Sequence, residues 1–410
     1  MKGANHRVIY ADNAATTSLD REAWEAMKPY LLDQYANASQ PYSFARPAKK
    51  ALRDARMDIA SCIGALPEEI FFTSGGTESD NWAIKGTVCL SQREGITEAV
   101  QPKQQRRKII TSAFEHHAVL RSCQAMERLG YPVSYLPPTR EGIITPWTLR
   151  KAIAEWEAST GKVEEEASGS VTAGAVGLVS VMYANNEIGT IQPIRELCEI
   201  AHAAGALFHT DAVQAVGHVP LDVRKLGVDF LSASAHKFHG PKGIGFLYIR
   251  QGVSLVPYLD GGAQEYGLRA GTENIASIAG MVAALKKSCR TLQDDISHVR
   301  ELEQTLLQGL NAAGVSFVHN GAATARLPGI VSLSFPGMDG EAILHRMDLM
   351  GICVSTGSAC DSQNTQISHV LQAIGLEKHV AAGTIRISLG KDNTPDEVRQ
   401  IVSALRKICT

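Results

Sequence analysis

Seven short apolar runs alternate along the chain with longer stretches in which apolar residues recur at helical spacing. The runs are bounded by Gly, Asn or Asp, and they are EIFFT (69–73), KIITSA (108–113), VSYLP (133–137), VGLVSVMYA (176–184), ALFHTDA (206–212), VDFLSASA (228–235) and GIGFLYI (243–249). This pattern predicts an α/β fold, with a mostly parallel sheet covered by helices on both faces. Ligands of such sheets bind beyond the carboxyl ends of the strands. The polar candidates at those ends are Thr77, His116, Asn186, Asp211, Ser234, His236 and Lys237.

The pattern changes after the glycine-rich stretch DGGAQEYGLRAGTEN (260–274). A long helical run follows over 276–312, and strand-like sequence returns at 330–335. We interpret this change as a second, smaller domain joined by the first residues of the chain. The predicted boundaries are 16–261 for the large domain, and 1–15 with 262–410 for the small one.

Two polar segments without periodic apolar residues, 91–107 and 157–174, are predicted to be surface insertions. Neither has the composition of a separate domain.

Composition narrows the class of protein. The chain has 410 residues, 44% of them hydrophobic, and a formal net charge of −2, so it lacks the basic balance typical of nucleic-acid binding. The start lacks the pattern of a signal peptide, and no apolar run reaches the roughly 18 residues that span a membrane, so we expect a cytoplasmic protein. The eight cysteines are widely spaced, with no CxxC pair, and are expected to be reduced thiols rather than zinc ligands.

Lys237 and Asp211 together indicate an aldehyde cofactor. Lys237 follows a predicted strand within SASAHKFHGPKG, where its amine is placed to form a Schiff base. Alone it is also consistent with a solvated loop lysine, and Lys242 is a competing candidate. Asp211 in HTDAVQ could be an ordinary helix N-cap, but pyridoxal phosphate (PLP) needs a carboxylate beside its ring nitrogen. The pair therefore favours PLP.

Two further segments supply candidate ligands of that cofactor. The segment TSGGTESDN (73–81) opens a helix, where Gly76 and Thr77 are placed to bind a phosphate; a simple capping box is the alternative. FEHHAV contains His116 and His117, either of which could stack on a ring and move a proton. A metal site is disfavoured here because partner ligands at helical spacing are missing.

Cys360 and Arg386 are candidates for the chemistry and for substrate binding. Cys360 lies among Ser, Gly and Asp in STGSACDSQ, which suits an exposed nucleophile, whereas Cys353 is interpreted as a strand-core residue. Arg386 lies in the apolar strand TIRISLG and needs an anion, either a substrate carboxylate or a structural acid.

In chain order, nine motifs resemble those of the cysteine desulfurases of the nitrogen-fixation and iron–sulfur-assembly type. They are ADNAATT, TSGGTESDN, FEHHAV, NNEIGT, HTDAVQ, SAHKFHGPKG, GLRAGTEN, STGSAC and TIRISLG, and they extend from residue 11 to 390. The resemblance implies a PLP enzyme with the fold of the aspartate aminotransferase superfamily, a seven-stranded large-domain sheet and a homodimer.

The resemblance also implies a role for each matching residue. Lys237 would bind the cofactor, Asp211 its ring nitrogen, Gln214 its ring hydroxyl and Asn186 the ring oxygen and substrate carboxylate. His116 would be the stacking acid/base residue, and Arg386 would bind the substrate carboxylate. Cys360 would form the persulfide. The phosphate ligands implied are Gly76, Thr77, Ser234 and His236, with Thr272 contributed by the partner subunit.

The implied reaction takes sulfur from L-cysteine, releases alanine and passes the sulfur to an acceptor protein, such as an iron–sulfur scaffold or a sulfur carrier. The chain departs from the family at Gly76, at Gln366-Ile367 and in its short C-terminus, which leaves the acceptor open. The alternatives are a selenocysteine or cystine lyase, an assembly component that turns over poorly alone, and an ordinary aminotransferase.

Overall fold

The structure of the protein is a computed structural model that describes residues 8–88, 108–160, 175–356 and 367–410. The described strands are β1 (Ile9–Tyr10), β2 (Ile70–Thr73), β3 (Lys108–Ser112), β4 (Val133–Leu136), β5 (Val176–Ser180), β6 (Leu207–Asp211), β7 (Phe230–Ser234), β8 (Gly245–Ile249), β9 (Val318–Asn320), β10 (Ile330–Ser334), β11 (Ile352–Cys353) and β12 (Thr384–Ser388).

Helices connect these strands and cover the sheets. They are α1 (Arg21–Leu32), α2 (Arg46–Ile63), α3 (Gly76–Val88), α4 (His117–Arg128), α5 (Pro146–Thr160), α6 (Ile194–Ala203), α7 (Val223–Leu226), α8 (Ile275–Ala312), α9 (Gly340–Leu349), α10 (His369–Ala373), α11 (Lys378–Ala381) and α12 (Pro395–Cys409). In the described parts of the chain, no helix is both long and apolar enough to cross a membrane.

The central sheet has seven strands in the order β2-β8-β7-β6-β5-β3-β4. Strands β4, β3, β5, β6 and β7 are parallel, while β8 runs antiparallel to both β7 and β2. Each strand falls within one of the seven apolar runs, which confirms the predicted mostly parallel sheet. All residues of β3, β5 and β7 are buried, as expected for strands covered on both faces.

The direction of the chain reverses between β3 and β5. From β3 it moves outward to β4, and it then returns to build β5, β6 and β7 on the other side. The helices that follow neighbouring strands diverge at such a switch point and leave a crevice at the carboxyl ends. This crevice is where the candidate residues of β6 and β7 come together.

The C-terminal third forms a separate three-stranded antiparallel sheet, β12-β10-β9. Its core is a distinct set of buried residues that includes Leu302, Val331 and Ile385. The 38-residue helix α8 contributes to both cores, because Met281 packs in the large core and Leu306 in the small one. The boundary after residue 261 therefore stays a prediction, while the predicted helical run over 276–312 is confirmed.

Two local predictions need correction. Residues 157–160 continue helix α5, so the predicted insertion does not begin at residue 157; residues 161–174, like the other insertion (91–107), lie outside the described residues. Cys353 does belong to a strand, β11, but it is only half-buried because β11 pairs with β1 alone.

Candidate active site

A cavity of about 580 Å³ lies at the carboxyl ends of the central strands. Its walls come from the N-terminal segment, the start of α3, the residues after β3, β5, β6 and β7, and strand β12. It is lined by almost all the residues that the sequence predicted for the site, namely Gly76, Thr77, His116, Asn186, Asp211, Gln214, Ser234, His236, Lys237 and Arg386.

Two predicted site residues are not brought into this cavity. Thr272 lines a neighbouring pocket with Ser74, Gly243 and Arg269, so it does not reach the main cavity within one subunit. Its predicted contact with the partner subunit's cofactor is not tested by one chain. Cys360 lies outside the described residues.

Lys237 ends a single 3-10 turn (Ala235–Lys237) directly after β7. Its Nζ donates to the backbone carbonyls of Ala14 at 2.6 Å and Ala15 at 2.9 Å. These carbonyls belong to the ADNAATT segment, which crosses the mouth of the sheet and bonds to β12 at Ser388. The N-terminal segment thus holds the amine at the cavity. Lys242, the competing candidate, also lines the cavity.

Asp211 is the last residue of β6 and is only 6% exposed. One of its carboxylate oxygens, Oδ1, accepts a hydrogen bond from the backbone N–H of Val213 at 2.9 Å. Burial raises the pKa of Asp211 to about 6, and the Val213 N–H and the charge of Lys237 oppose that rise. A buried carboxylate at this position would stabilise a protonated ring nitrogen.

Asp211, Asp80 and His116 offer ligand atoms within 4.8 Å of one another. The sequence prediction of no metal site here rested on missing partners at helical spacing, whereas Asp80 and Asp211 come from α3 and β6. Carboxylates and an imidazole suit a divalent cation or a protonated ring nitrogen. The phosphate-binding geometry next to them favours the second.

The predicted phosphate-binding turn lies at the start of α3, where the first N–H groups of a helix can bind an anion. Neither glycine of the turn has room for a side chain. A Cβ on Gly76 would lie 2.5 Å from Val213 Cγ2, and Gly75 has a φ of +146°, a backbone conformation that residues with a side chain rarely adopt. Thr77, Ser234 and His236 supply further donors around this turn. The residues therefore fit a phosphorylated aromatic cofactor.

His116 is the N-cap of α4, and its Nδ1 accepts the N–H of Ala118 at 3.2 Å. This bond leaves Nε2 as the protonated nitrogen of a neutral ring. Burial, followed by the charges of Lys237 and His117, lowers the pKa of His116 to about 4. The ring is therefore neutral at neutral pH, with Nε2–H as its available hydrogen-bond donor.

His236 and Gln214 are also fixed by the N-terminal segment. His236 Nδ1 lies 3.1 Å from Thr16 Oγ1, and burial together with Lys237 and Lys242 lowers its pKa to about 4. Gln214 Nε2 donates to Ala14 O at 2.9 Å. Residues 14–16 thus organise three side chains of the cavity at once.

Arg386 on β12 already has an anion, which the sequence did not reveal. One guanidinium nitrogen contacts Asp12 Oδ1 at 2.6 Å, and another donates to the backbone carbonyl of Asn186 at 2.9 Å. Arg386 is 5% exposed, and within the described residues its Nε has no hydrogen-bond partner. The structural ion pair is thus present, and Arg386 also lines the cavity that a substrate carboxylate would enter.

Sequence reasoning also missed two buried acids beside the cavity. Asp80 lies on α3 and is 1% exposed, and Glu115 precedes α4 and is completely buried. Glu115 accepts from Ser112 Oγ at 2.5 Å and from the N–H of Met182 at 2.9 Å. For Glu115 the available signal was an acidic residue that follows an apolar segment expected to be buried.

Comparisons with known proteins agree with this geometry. The family model for class-V aminotransferases matches residues 9–401. The cysteine desulfurase IscS of Dictyoglomus turgidum is 43% identical over 98% of this chain and 94% of its own length. Two solved structures are similar. A NifS-like protein has a TM-score of 0.83 at 35% identity, covering 98% of this chain and 99% of that one. SspA in complex with cysteine has a TM-score of 0.76 at 32% identity, covering 94% and 100%. The chain belongs to the class-V aminotransferase family, and within it to the cysteine desulfurases.

Proposed function

We propose that the protein uses PLP held by Lys237 to remove sulfur from L-cysteine, leaving alanine and a persulfide on Cys360. The observation that carries the proposal is the convergence of Lys237, Asp211 and the glycine-lined start of α3 on one cavity. These groups match the aldehyde, the ring nitrogen and the phosphate of PLP. The cysteine bound to the related SspA supports the choice of substrate.

When bound, PLP supplies an electron sink for the charge that develops as the substrate Cα loses its proton. The side chains of the cavity must then bind and orient the substrate and move its protons. Asp211 would hold the proton on the ring nitrogen, and His116 would lie beside the ring as a neutral imidazole whose Nε2–H can donate to the substrate sulfur. Lys237, whose Nζ is held at the cavity by the carbonyls of Ala14 and Ala15, is positioned to accept the Cα proton.

Arg386 binds the substrate carboxylate in this proposal. Its guanidinium lines the cavity, so a carboxylate bound there gains a charge-assisted hydrogen bond. Asp12 competes for the same guanidinium. Asp12 therefore lowers the affinity for substrate while it keeps the buried charge paired before substrate arrives.

The sulfur-transfer step needs a thiolate outside the described residues. The Cys360 thiolate attacks the substrate sulfur, so an S–S bond forms while the Cβ–S bond breaks and its electron pair moves to Cβ. Protonation of the remaining carbon fragment releases alanine. The persulfide sulfur then passes to an acceptor protein, which we expect to be an iron–sulfur scaffold or a sulfur carrier. A homodimer, with Thr272 reaching the partner's site, and a cytoplasmic location also remain predictions.

The test is an alanine and protein-persulfide assay with L-cysteine on the wild type and four variants. Lys237→Ala and Cys360→Ser remove the proposed groups, while Lys242→Ala and Cys353→Ser are matched controls of the same residue types. We expect Lys237→Ala to lower alanine formation about a thousandfold or more and to abolish the visible absorption of bound cofactor. Cys360→Ser should lose the persulfide.

Two results would count against the proposal. If Lys242→Ala rather than Lys237→Ala loses activity and cofactor absorption, the cofactor residue is wrong. If Cys360→Ser releases sulfur from L-cysteine at the wild-type rate, the protein is a lyase that does not use a persulfide on Cys360.

A further inference from the structure

Asp80 is a buried acid directly behind the proposed ring-nitrogen carboxylate. It lies on α3, is 1% exposed and lines the cavity. One of its ligand atoms lies within 4.8 Å of those of Asp211 and His116. Two carboxyl groups this close in a dry site cannot both carry a charge cheaply. The structure therefore raises the question of which of the two is ionised.

The groups behind Asp80 give it no cation. His209 on β6 is completely buried, with Nδ1 2.8 Å from Ser180 Oγ and Nε2 3.0 Å from Ser232 Oγ. Both ring nitrogens thus have hydroxyl partners, and burial lowers the pKa of His209 to about 3, so the ring is neutral. Its Nε2 is 3.6 Å from Asp80 Oδ1, which is too far for a hydrogen bond.

The remaining titratable groups around Asp80 are acids or a neutral ring. Glu115 lies at the end of β3, and burial raises its pKa to about 8. His116 is neutral at the start of α4. Burial, and then the charge of Asp211, raise the pKa of Asp80 well above its usual range, against a hydrogen bond from Ser232. Within the described residues, Asp80 Oδ1 has no hydrogen-bond partner.

Asp211 has interactions that stabilise a negative charge, and Asp80 does not have the same interactions. It accepts the N–H of Val213 and feels the positive charge of Lys237, and both interactions stabilise its ionised form. The two carboxyl groups therefore have environments that separate their protonation states. Asp211 is the ionised member of the pair.

We propose that Asp80 is a positioning residue for Asp211, keeping its own proton so that Asp211 is the single anion opposite the ring nitrogen. This inference rests on the proposed PLP function. One carboxylate opposite one protonated ring nitrogen makes a neutral buried pair, whereas a second carboxylate would leave an uncompensated buried charge. The hydrogen-bonded chain Ser180, His209 and Ser232 is neutral, so it places no cation beside Asp80 that would favour a second carboxylate.

The test is infrared spectroscopy at pH 7.5 on the cofactor-free and PLP-loaded full-length protein. Protein labelled with ¹³C in the aspartate carboxyl groups should show a protonated-carboxyl band that shifts with the label, which separates Asp80 from Glu115. The band should be lost in Asp80→Asn and kept in Glu115→Gln. Because the label also marks Asp211, the labelled Asp211→Asn variant, which should keep the band, completes the assignment to Asp80.

PLP affinity supplies the second measurement, using Asp80→Ala and the neutral isostere Asp80→Asn. We expect Asp80→Ala to bind PLP at least tenfold more weakly, because a buried carboxyl group close to Asp211 is replaced by a cavity, and Asp80→Asn to restore affinity to within about threefold of wild type. An ionised Asp80 would not be replaced by Asn. A label-insensitive band, or a loss in Asp80→Asn as large as in Asp80→Ala, would overturn the role of Asp80. Failure of the wild type to bind PLP would instead overturn the proposed function.

Discussion

The two sides of the cavity differ in how their charged groups are paired. On the small-domain side, Arg386 and Asp12 form a completed ion pair at 2.6 Å. On the sheet side, Asp211 and its acidic neighbours Asp80 and Glu115 outnumber the cations around them. The first side is arranged to exchange one anion for another. The second is arranged to receive a positive charge, and it does so by keeping most of its acids protonated.

A substitution on the sheet side should lower the reaction rate more than one on the small-domain side. Asp211→Asn keeps the shape and the Val213 contact but removes the negative charge opposite the ring nitrogen, so we expect the rate of alanine formation to fall about 100-fold or more. Steady-state kinetics would measure it. Asp339→Asn, at the exposed N-cap of α9, is a matched control expected to remain near the wild-type rate because Asn caps helices as well as Asp. Equal activity of both variants would remove Asp211 from the site.

On the opposite side, Arg386→Lys should act on substrate binding. Lys keeps the positive charge but lacks the planar fork that can bind Asp12, the Asn186 carbonyl and a carboxylate together. Losing one charge-assisted hydrogen bond is worth about 1.5–3 kcal/mol, so KM for L-cysteine should rise about 10- to 150-fold with a smaller change in kcat. Arg250→Lys, on a half-exposed ion pair with Asp229, is the control. An unchanged KM would assign Arg386 to structure alone.

Asp12→Asn tests the same side of the cavity, because it removes the acid that competes with the substrate for Arg386. If Asp12 and the substrate share one guanidinium, this variant should lower KM for L-cysteine a few-fold. The thermal unfolding midpoint should fall by several degrees, since the buried Arg386 loses its anion. Kinetics and differential scanning calorimetry would give both numbers. A raised KM together with an unchanged midpoint would show that Asp12 does not compete with the substrate.

Glu115→Gln should change the pH dependence of stability rather than the reaction rate. Burial raises the pKa of Glu115 from 4.5 to about 8, so its contribution to stability is complete below the unfolded pKa and is lost as pH rises toward 8. The loss amounts to about 1.4 kcal/mol per pH unit over that interval. The unfolding midpoint of the wild type should therefore fall relative to that of Glu115→Gln between pH 5 and pH 8. Parallel curves would show that Glu115 is ionised in the folded protein.

The sequence predicted those parts of the site that depend on short local patterns, namely the strands and the glycine turn. The seven strands could be found because each is a continuous apolar run. Asp211 ends β6 and Lys237 follows β7, so both could be placed at the carboxyl ends of strands. The glycine turn at the start of α3 could be found in the same way, because the positive φ of Gly75 and the close Val213 side chain at Gly76 both favour glycine.

Pairings across long stretches of chain could not be predicted in the same way. Asp12 and Arg386 are separated by 374 residues and meet only because the N-terminal segment bonds to β12. The hydrogen bonds of Lys237 to Ala14 and Ala15 have the same origin. Asp80 was missed for another reason, since a polar residue of helical sequence gives no sign that its helix face points into a protein core.

The most direct test of the account is to identify the lysine that binds PLP. The protein would be loaded with PLP, treated with borohydride to make the lysine–cofactor bond permanent, digested and sequenced by mass spectrometry. Lys237 and Lys242 both line the cavity, so the structure allows either to be labelled. The account predicts that the label lies on Lys237, where the amine is held by the N-terminal segment opposite Asp211. A label on Lys242, or no lysine labelled, would contradict it.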